Sequence, residues 1–232
     1  MTTQPSGSSV RVWDLPTRLF HWLFAAAVIG AIVTVNVGGS WMDWHLPLGV
    51  AALVLLAFRL VWGFTGSRYA RFTSFVKGPK TVWRYLRYSK GQSPAGHNPL
   101  GGWSVVALLL VVGVQAVTGL FATDDILTMG PLNKFVSGDT AAFLTSIHKW
   151  NKNVLLALVG LHLVAIAIYT IRGKHLVAPM ITGDVSTESL PNDTPPARDD
   201  IGLKVWAFVL IVILSSIGWW LVDLATAAPV GF

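Results

Sequence analysis

The chain is 232 residues long, 53% apolar and only 12% charged, with a mean hydropathy of +0.59. Soluble domains carry about 25% Asp, Glu, Lys and Arg, so charge this sparse cannot coat a water-facing surface, and a soluble globule is excluded. The absence of cysteine removes disulfides, thiolate nucleophiles, iron–sulfur clusters and thioether-linked c-type haem together. Any redox group must hang from His, Met or carboxylate side chains.

Eleven Trp and eleven Phe residues suit aromatic belts at two membrane interfaces. A bilayer core of about 30 Å needs about 20 mainly apolar residues in a helix, and five stretches qualify: 17–37, 45–64, 101–121, 141–171 and 203–222. The first is preceded by Trp13, Asp14 and Pro16 and is followed by no small-residue cleavage site, which predicts a retained span rather than a signal peptide. Between the second and third spans lie Arg68, Arg71, Lys77, Lys80, Arg84, Arg87 and Lys90 with no acid. The 38–44 connection has only Asp43, and the 122–140 loop sets Asp124, Asp125 and Asp139 against Lys134. Basic loops stay inside, so the N-terminus is expected in the cytoplasm and, after five spans, the C-terminus outside. The net charge of +6 is therefore a topology and lipid signal, and no nucleic acid is expected as a partner. Within the basic loop, Val82, Trp83 and Leu86 recur at helical spacing with Lys80, Arg84 and Arg87 on the other side. This predicts an interfacial helix near 79–90 on anionic headgroups. The stretch 184–202, rich in Pro, Asp, Ser and Thr, reads as a solvated polar linker on the cytoplasmic side.

Ionisable groups inside spans are costly, so they point to function. Of six histidines, four fall within spans: His21 near the cytoplasmic end of the first, His45 at the outer start of the second, and His148 and His162 on the fourth. Fourteen residues separate the last two, which places them about 21 Å apart and about 40° around one helix face. Each then has a partner of matching depth, His148 with His45 and His162 with His21. Haem iron takes two axial ligands from opposite sides, and a helix bundle presents such ligands from facing helices. A zinc or di-iron site needs its ligands converging on one point, which this separation forbids. Packing histidines or a proton path across the membrane would also place His in spans.

The segments Arg18-Leu-Phe-His21-Trp22, His45-Leu-Pro-Leu-Gly49, Phe58-Arg59-Leu-Val-Trp62-Gly63 and Gly96-His97-Asn98-Pro99-Leu-Gly-Gly102, with the His148…His162 spacing, resemble the bacterial cytochrome b561 family, which includes the b-type cytochrome subunits of nickel–iron hydrogenases. The resemblance covers about residues 10–183 and implies an all-α integral membrane fold, a four-helix transmembrane bundle holding two non-covalent bis-His haem b groups. It implies His21 with His162 and His45 with His148 as axial iron ligands. The departure is the fifth span. It lacks His, and its Ser215, Ser216 and Gly218 allow close helix approach, whether to the bundle, to a second copy or to a partner. The expected organisation is a dihaem membrane domain over 1–183, the linker 184–202, and an extra helix with a short periplasmic tail over 203–232.

Arginines near the cytoplasmic face, Arg18, Arg59, Arg68 and Arg71, suit haem propionates or snorkel to headgroups; Arg59 is the foremost candidate, with Arg18 beside it. Lys149 and Lys152 would serve the outer haem. Gly49, Gly113 and Gly119 make room for a broad flat group or for helix contact. His97 reads as a turn residue or a proton carrier to a quinone, and His175 as interfacial. Two haems at opposite faces form an electron path. The expected function is electron transfer between the quinone pool, quinone or quinol, and a periplasmic partner, either a c-type cytochrome or the catalytic subunit of a dehydrogenase or hydrogenase. The acidic outer loop would dock a basic patch. A self-contained superoxide:quinone oxidoreductase is the alternative, and a non-redox transporter or anchor the third.

Overall fold

Helix starts in this chain are set by side chains that cap backbone N–H groups. The computed structural model describes residues 9–88, 95–124, 128–191 and 193–226; Lys90, Asp125 and the tail after 226 lie outside them. In chain order the elements are β1 (Ser9–Arg11), α1 (Leu15–Val37), α2 (His45–Thr65), a one-turn α3 (Phe72–Phe75), α4 (Pro79–Tyr88), α5 (Pro99–Gly119), α6 (Gly138–Ile171), α7 (Val177–Thr182), β2 (Asp184–Ser186) and α8 (Ile201–Thr226). The fold is all-α and integral to the membrane: α1, α2, α5, α6 and α8 are long and apolar enough to span.

Four of these spans begin about one turn or less before the hydropathy does. Asp14 accepts the N–H of Thr17 at 2.7 Å, Asn98 that of Gly101 at 2.7 Å, Asp200 that of Leu203 at 3.0 Å, and Ser137 that of Thr140 at 3.3 Å. Each satisfies a donor that a helix start would otherwise leave open, and Pro99 occupies the first helical position, where a missing N–H costs nothing. The turn from α1 to α2 runs through Gly38 and Gly39 at φ 71° and 58°, a backbone region other residues avoid. At 34 residues, α6 is about 51 Å long, longer than a bilayer core.

The fold comprises two compact units, each taking part of every spanning helix: Met1–Phe20, Arg59–Ala107 and Gly160–Ala207 form the first, and His21–Phe58, Leu108–Val159 and Phe208–Phe232 the second. In the first unit, Val12, Trp13, Tyr69, Leu190 and Ala197 make a small core. Here the expectation of a solvated linker is corrected. β2 pairs antiparallel with β1, Ala197 donates its N–H to the Arg11 carbonyl at 2.7 Å, and the Tyr69 hydroxyl donates to the Pro195 carbonyl at 2.6 Å. Arg11 pairs with Asp184 at 2.8 Å and Asp199 at 3.0 Å. The stretch is polar in composition, but Leu190 and Ala197 pack with the N-terminal segment, and Asp184 and Asp199 among its acids pair with Arg11. Burial pushes the Tyr69 phenol above its ordinary pKa, against a smaller opposing pull from Arg68.

The helix expected near 79–90 is present as α4. It buries no residue, its Trp83 and Leu86 are exposed, and the Arg87 guanidinium lies 5.0 Å from the Trp83 ring centre. Of the three contacts open to the fifth span, packing on the chain itself is observed. In the first unit Trp206 donates to the Thr65 hydroxyl at 3.2 Å. In the second, Gly218 lies so close to α2 that a Cβ there would meet Val54 at 2.5 Å and Val50 at 3.3 Å.

Candidate cofactor site

In the second unit, α2 and α6 bring His45 and His148 together. Their ring centroids are 6.2 Å apart and their planes cross at 89°. At that spacing the two rings could together hold one metal ion, each through a ring nitrogen. One ring nitrogen of each is already engaged with the backbone. His45 Nδ1 lies 2.9 Å from the Ala31 carbonyl, and His148 Nδ1 2.9 Å from the Gln115 carbonyl. A carbonyl only accepts, so Nδ1 carries the proton in both rings and Nε2 keeps its lone pair. This is the outer hydrogen bonding that metal-ligating histidines commonly show.

The two rings line an apolar cleft that is partly open to the surroundings. Its lining includes Val28, Ile32, Gly49, Val112 and Leu155. Gly49 sits one turn beyond His45, and nothing lies within 4 Å of where its Cβ would be, so this glycine leaves room beside the ring. Gly119 works differently from the expectation. A Cβ there would stand 2.9 Å from His148 Cε1, so the space is taken by the histidine itself. Gly113 meets only Leu56 of α2, a helix contact. Lys149 and Lys152 line the cleft.

The first unit holds the arginines. Arg59 is 2% exposed and its guanidinium lies 4.9 Å from the Phe72 ring centre, 5.7 Å from Phe75 and 5.9 Å from Phe20. The nearby acid acting on it is Asp14, which is fully buried and accepts the Ser67 hydroxyl as well as Thr17 N–H. Trp62, also fully buried, donates to the Thr17 hydroxyl at 3.2 Å, and the Phe72 ring sits directly on Gly63, where a side chain would collide with it. The Phe-Arg-Leu-Val-Trp-Gly motif is thus the seat of a buried cation. Among the described residues, Arg59 Nη1 and Arg18 Nε are buried nitrogens with no hydrogen-bond partner. Arg18 spends its Nη1 on the Ile181 carbonyl. Arg68 and Arg71 are exposed.

His162 is half-buried on α6 in the first unit, and His21 half-buried on α1 in the second. His97 is packed edge-on to Trp13 at 4.8 Å and against Phe75 at 4.6 Å, in keeping with the turn-residue reading. His175 is exposed. No group of three or more His, Asp or Glu able to hold a metal occurs among the described residues. Sequence reasoning missed Gln115, which meets His148, and Asn151, which bonds to Gln115. Their signal was available as polar side chains inside apolar spans.

The model of the family described as "Prokaryotic cytochrome b561" matches residues 12–183. Among curated proteins, the chain is 27% identical to a probable Ni/Fe-hydrogenase 1 B-type cytochrome subunit of Escherichia coli (strain K12) and to its counterpart in Escherichia coli O157:H7. The alignment covers 47% of this chain and 57% of each relative. The chain thus spans a little over half the length of the curated relatives it matches. No solved structure matches. With nearly three quarters of its length under one family model, the chain belongs to the prokaryotic cytochrome b561 family.

Proposed function

We propose that this protein is a dihaem b-type cytochrome carrying electrons across the inner membrane between the quinone pool and a redox partner on the outer side. Membership of the family implies haem b, which supplies a one-electron carrier when bound. The observation that carries the reading is the His45–His148 pair, spaced 6.2 Å between ring centres with both Nδ1 protons given to backbone carbonyls. The residues present fit the group. His45 and His148 would hold the group, both rings line one apolar cleft, and Lys149 and Lys152 on the same lining suit propionate carboxylates. His21 and His162 are the second ligand pair in this proposal, supported by the family resemblance and by their spacing along the helices. The unsatisfied N–H groups of Arg59 and Arg18 would donate to propionate carboxylates, because a buried guanidinium is stabilised by a carboxylate. The loop acids Asp124 and Asp139 support a periplasmic partner with a basic docking patch, a c-type cytochrome or the catalytic subunit of a dehydrogenase or hydrogenase. The lysines on the cleft also support the second reading, a superoxide:quinone oxidoreductase.

A reduced-minus-oxidised spectrum of the purified protein, with a haem count, tests the proposal. Two b-type haems per chain are expected, and a porphyrin-free preparation from haem-replete cells would sink it. Quinol-dependent reduction of added cytochrome c, against superoxide-dependent reduction of quinone, separates the two activities. A narrower expectation concerns Gly49. The variant Gly49→Phe places a ring in the open space beside His45 and should lose about one of the two haems in the same count. An unaltered count would mean that the cleft is not where haem sits.

A further inference from the structure

Two polar side chains inside apolar spans remain unused by the ligand pairs, Gln115 on α5 and Asn151 on α6. Gln115 touches His148 twice. Its backbone carbonyl accepts Nδ1–H at 2.9 Å, and its side-chain nitrogen lies 3.2 Å from Nδ1 and 3.1 Å from Nε2. Being nearly equidistant from both ring nitrogens, the amide group faces the imidazole ring as a whole. Its orientation is not free. Asn151 Nδ2 donates to the Val111 carbonyl at 3.0 Å and to Gln115 Oε1 at 2.7 Å. The Val111 carbonyl can only accept, so Asn151 must present its NH₂ there. Gln115 must then offer oxygen to Asn151 and its NH₂ to His148. Asn151 lies one turn after His148 on the same helix, so the ring and the group that locks its neighbour move together. Thr118, whose hydroxyl is tied to the Val114 carbonyl at 2.6 Å, closes the remaining side at 3.4 Å from Nδ1. Gly119 supplies the close approach, since a Cβ there would stand 2.9 Å from Cε1.

We propose that Gln115, locked by Asn151, is a positioning residue that orients the His148 ring and sets the reduction potential of the haem it holds, an assignment that rests on the haem reading above. Outer hydrogen bonds and dipoles tune a metal through its ligand. An NH₂ group directs the positive end of its dipole at the imidazole and disfavours the oxidised haem, whose ligand ring carries more positive charge. Its presence therefore raises the potential, and its removal lowers it.

The test is an optical redox titration of the purified holoprotein, in which the haem lost from His148→Ala identifies the component concerned. Gln115→Leu is expected to keep both haems and to lower the potential of that component alone. The expected shift is about threefold to tenfold in its reduction equilibrium constant, or about 30 to 60 mV for one electron. Gln115→Glu, which brings a carboxylate to the same ring, should lower it further. Asn151→Leu frees the amide without deleting it and should shift the same component in the same direction by less, which keeps the test available if the Gln115 variants fail to fold. A potential that does not move in any variant retaining haem, or both haems shifting equally, would overturn the role of Gln115 and leave the dihaem reading standing. A wild-type protein without two haems would overturn the haem reading itself.

Discussion

Replacing His148 or His45 by Ala is expected to remove one haem of two and leave the other spectroscopically intact. The cleft that these rings line is apolar, so on the dihaem proposal shape and hydrophobic burial would hold a porphyrin non-specifically and the two histidines would supply the remainder. Deleting one imidazole would leave the group with a single protein ligand. The effect is selective because every residue lining this cleft belongs to a single compact unit. Packing and coordination are told apart by His148→Met. A thioether ligates haem iron and raises its potential relative to a second imidazole, so this variant should retain more haem than Ala and titrate at a higher potential. If His148→Ala kept both haems, or if His45→Ala and His148→Ala emptied different sites, the assigned pair would be wrong.

The four in-span histidines were legible because charge-bearing groups inside hydrophobic runs are rare, and helical arithmetic alone set two of them at one depth and two at another. The pairing of His45 with His148 in space follows the same arithmetic. The spans were legible too, but their starts were not. Hydropathy registers where apolar side chains begin, whereas the helix begins where Asp14, Asn98, Ser137 or Asp200 caps it. The ring-holding role of Gln115 and Asn151 was hidden for a different reason. Their contacts join residues 33 and 36 positions apart, and no local period reports such a meeting. The cage around Arg59 draws Phe20 from α1 and Phe72 and Phe75 from α3, so the sequence could place the cation near a face but not inside three rings. The stretch 184–202 misled by composition. Its acids and prolines describe a loop in water, while one arginine at position 11 and five apolar side chains are enough to fold it down.

That folded end of the molecule makes its own large prediction at Asp14. The carboxylate is fully buried and does three things at once: it caps α1 through Thr17, it accepts the Ser67 hydroxyl, and it is the negative charge acting on the enclosed Arg59. Asp14→Ala should be severely destabilising. Loss of the cap costs about 1 kcal/mol, and the buried Ser67 hydroxyl loses its acceptor, at about 1–3 kcal/mol. Asp14→Asn separates these contributions, since its amide oxygen still accepts the Thr17 N–H while the charge is gone. It should therefore lie between wild type and Asp14→Ala in thermal unfolding in detergent, followed by tryptophan fluorescence. Combining Asp14→Asn with Arg59→Met removes both charges and replaces the guanidinium by a flexible apolar group inside the phenyl cage. A double variant more stable than Asp14→Asn alone is the expected result if the two charges are coupled across the buried site, and the cycle measures that coupling directly. Additive losses would show that Asp14 serves only as a helix cap and that the cation in the cage is balanced by something else.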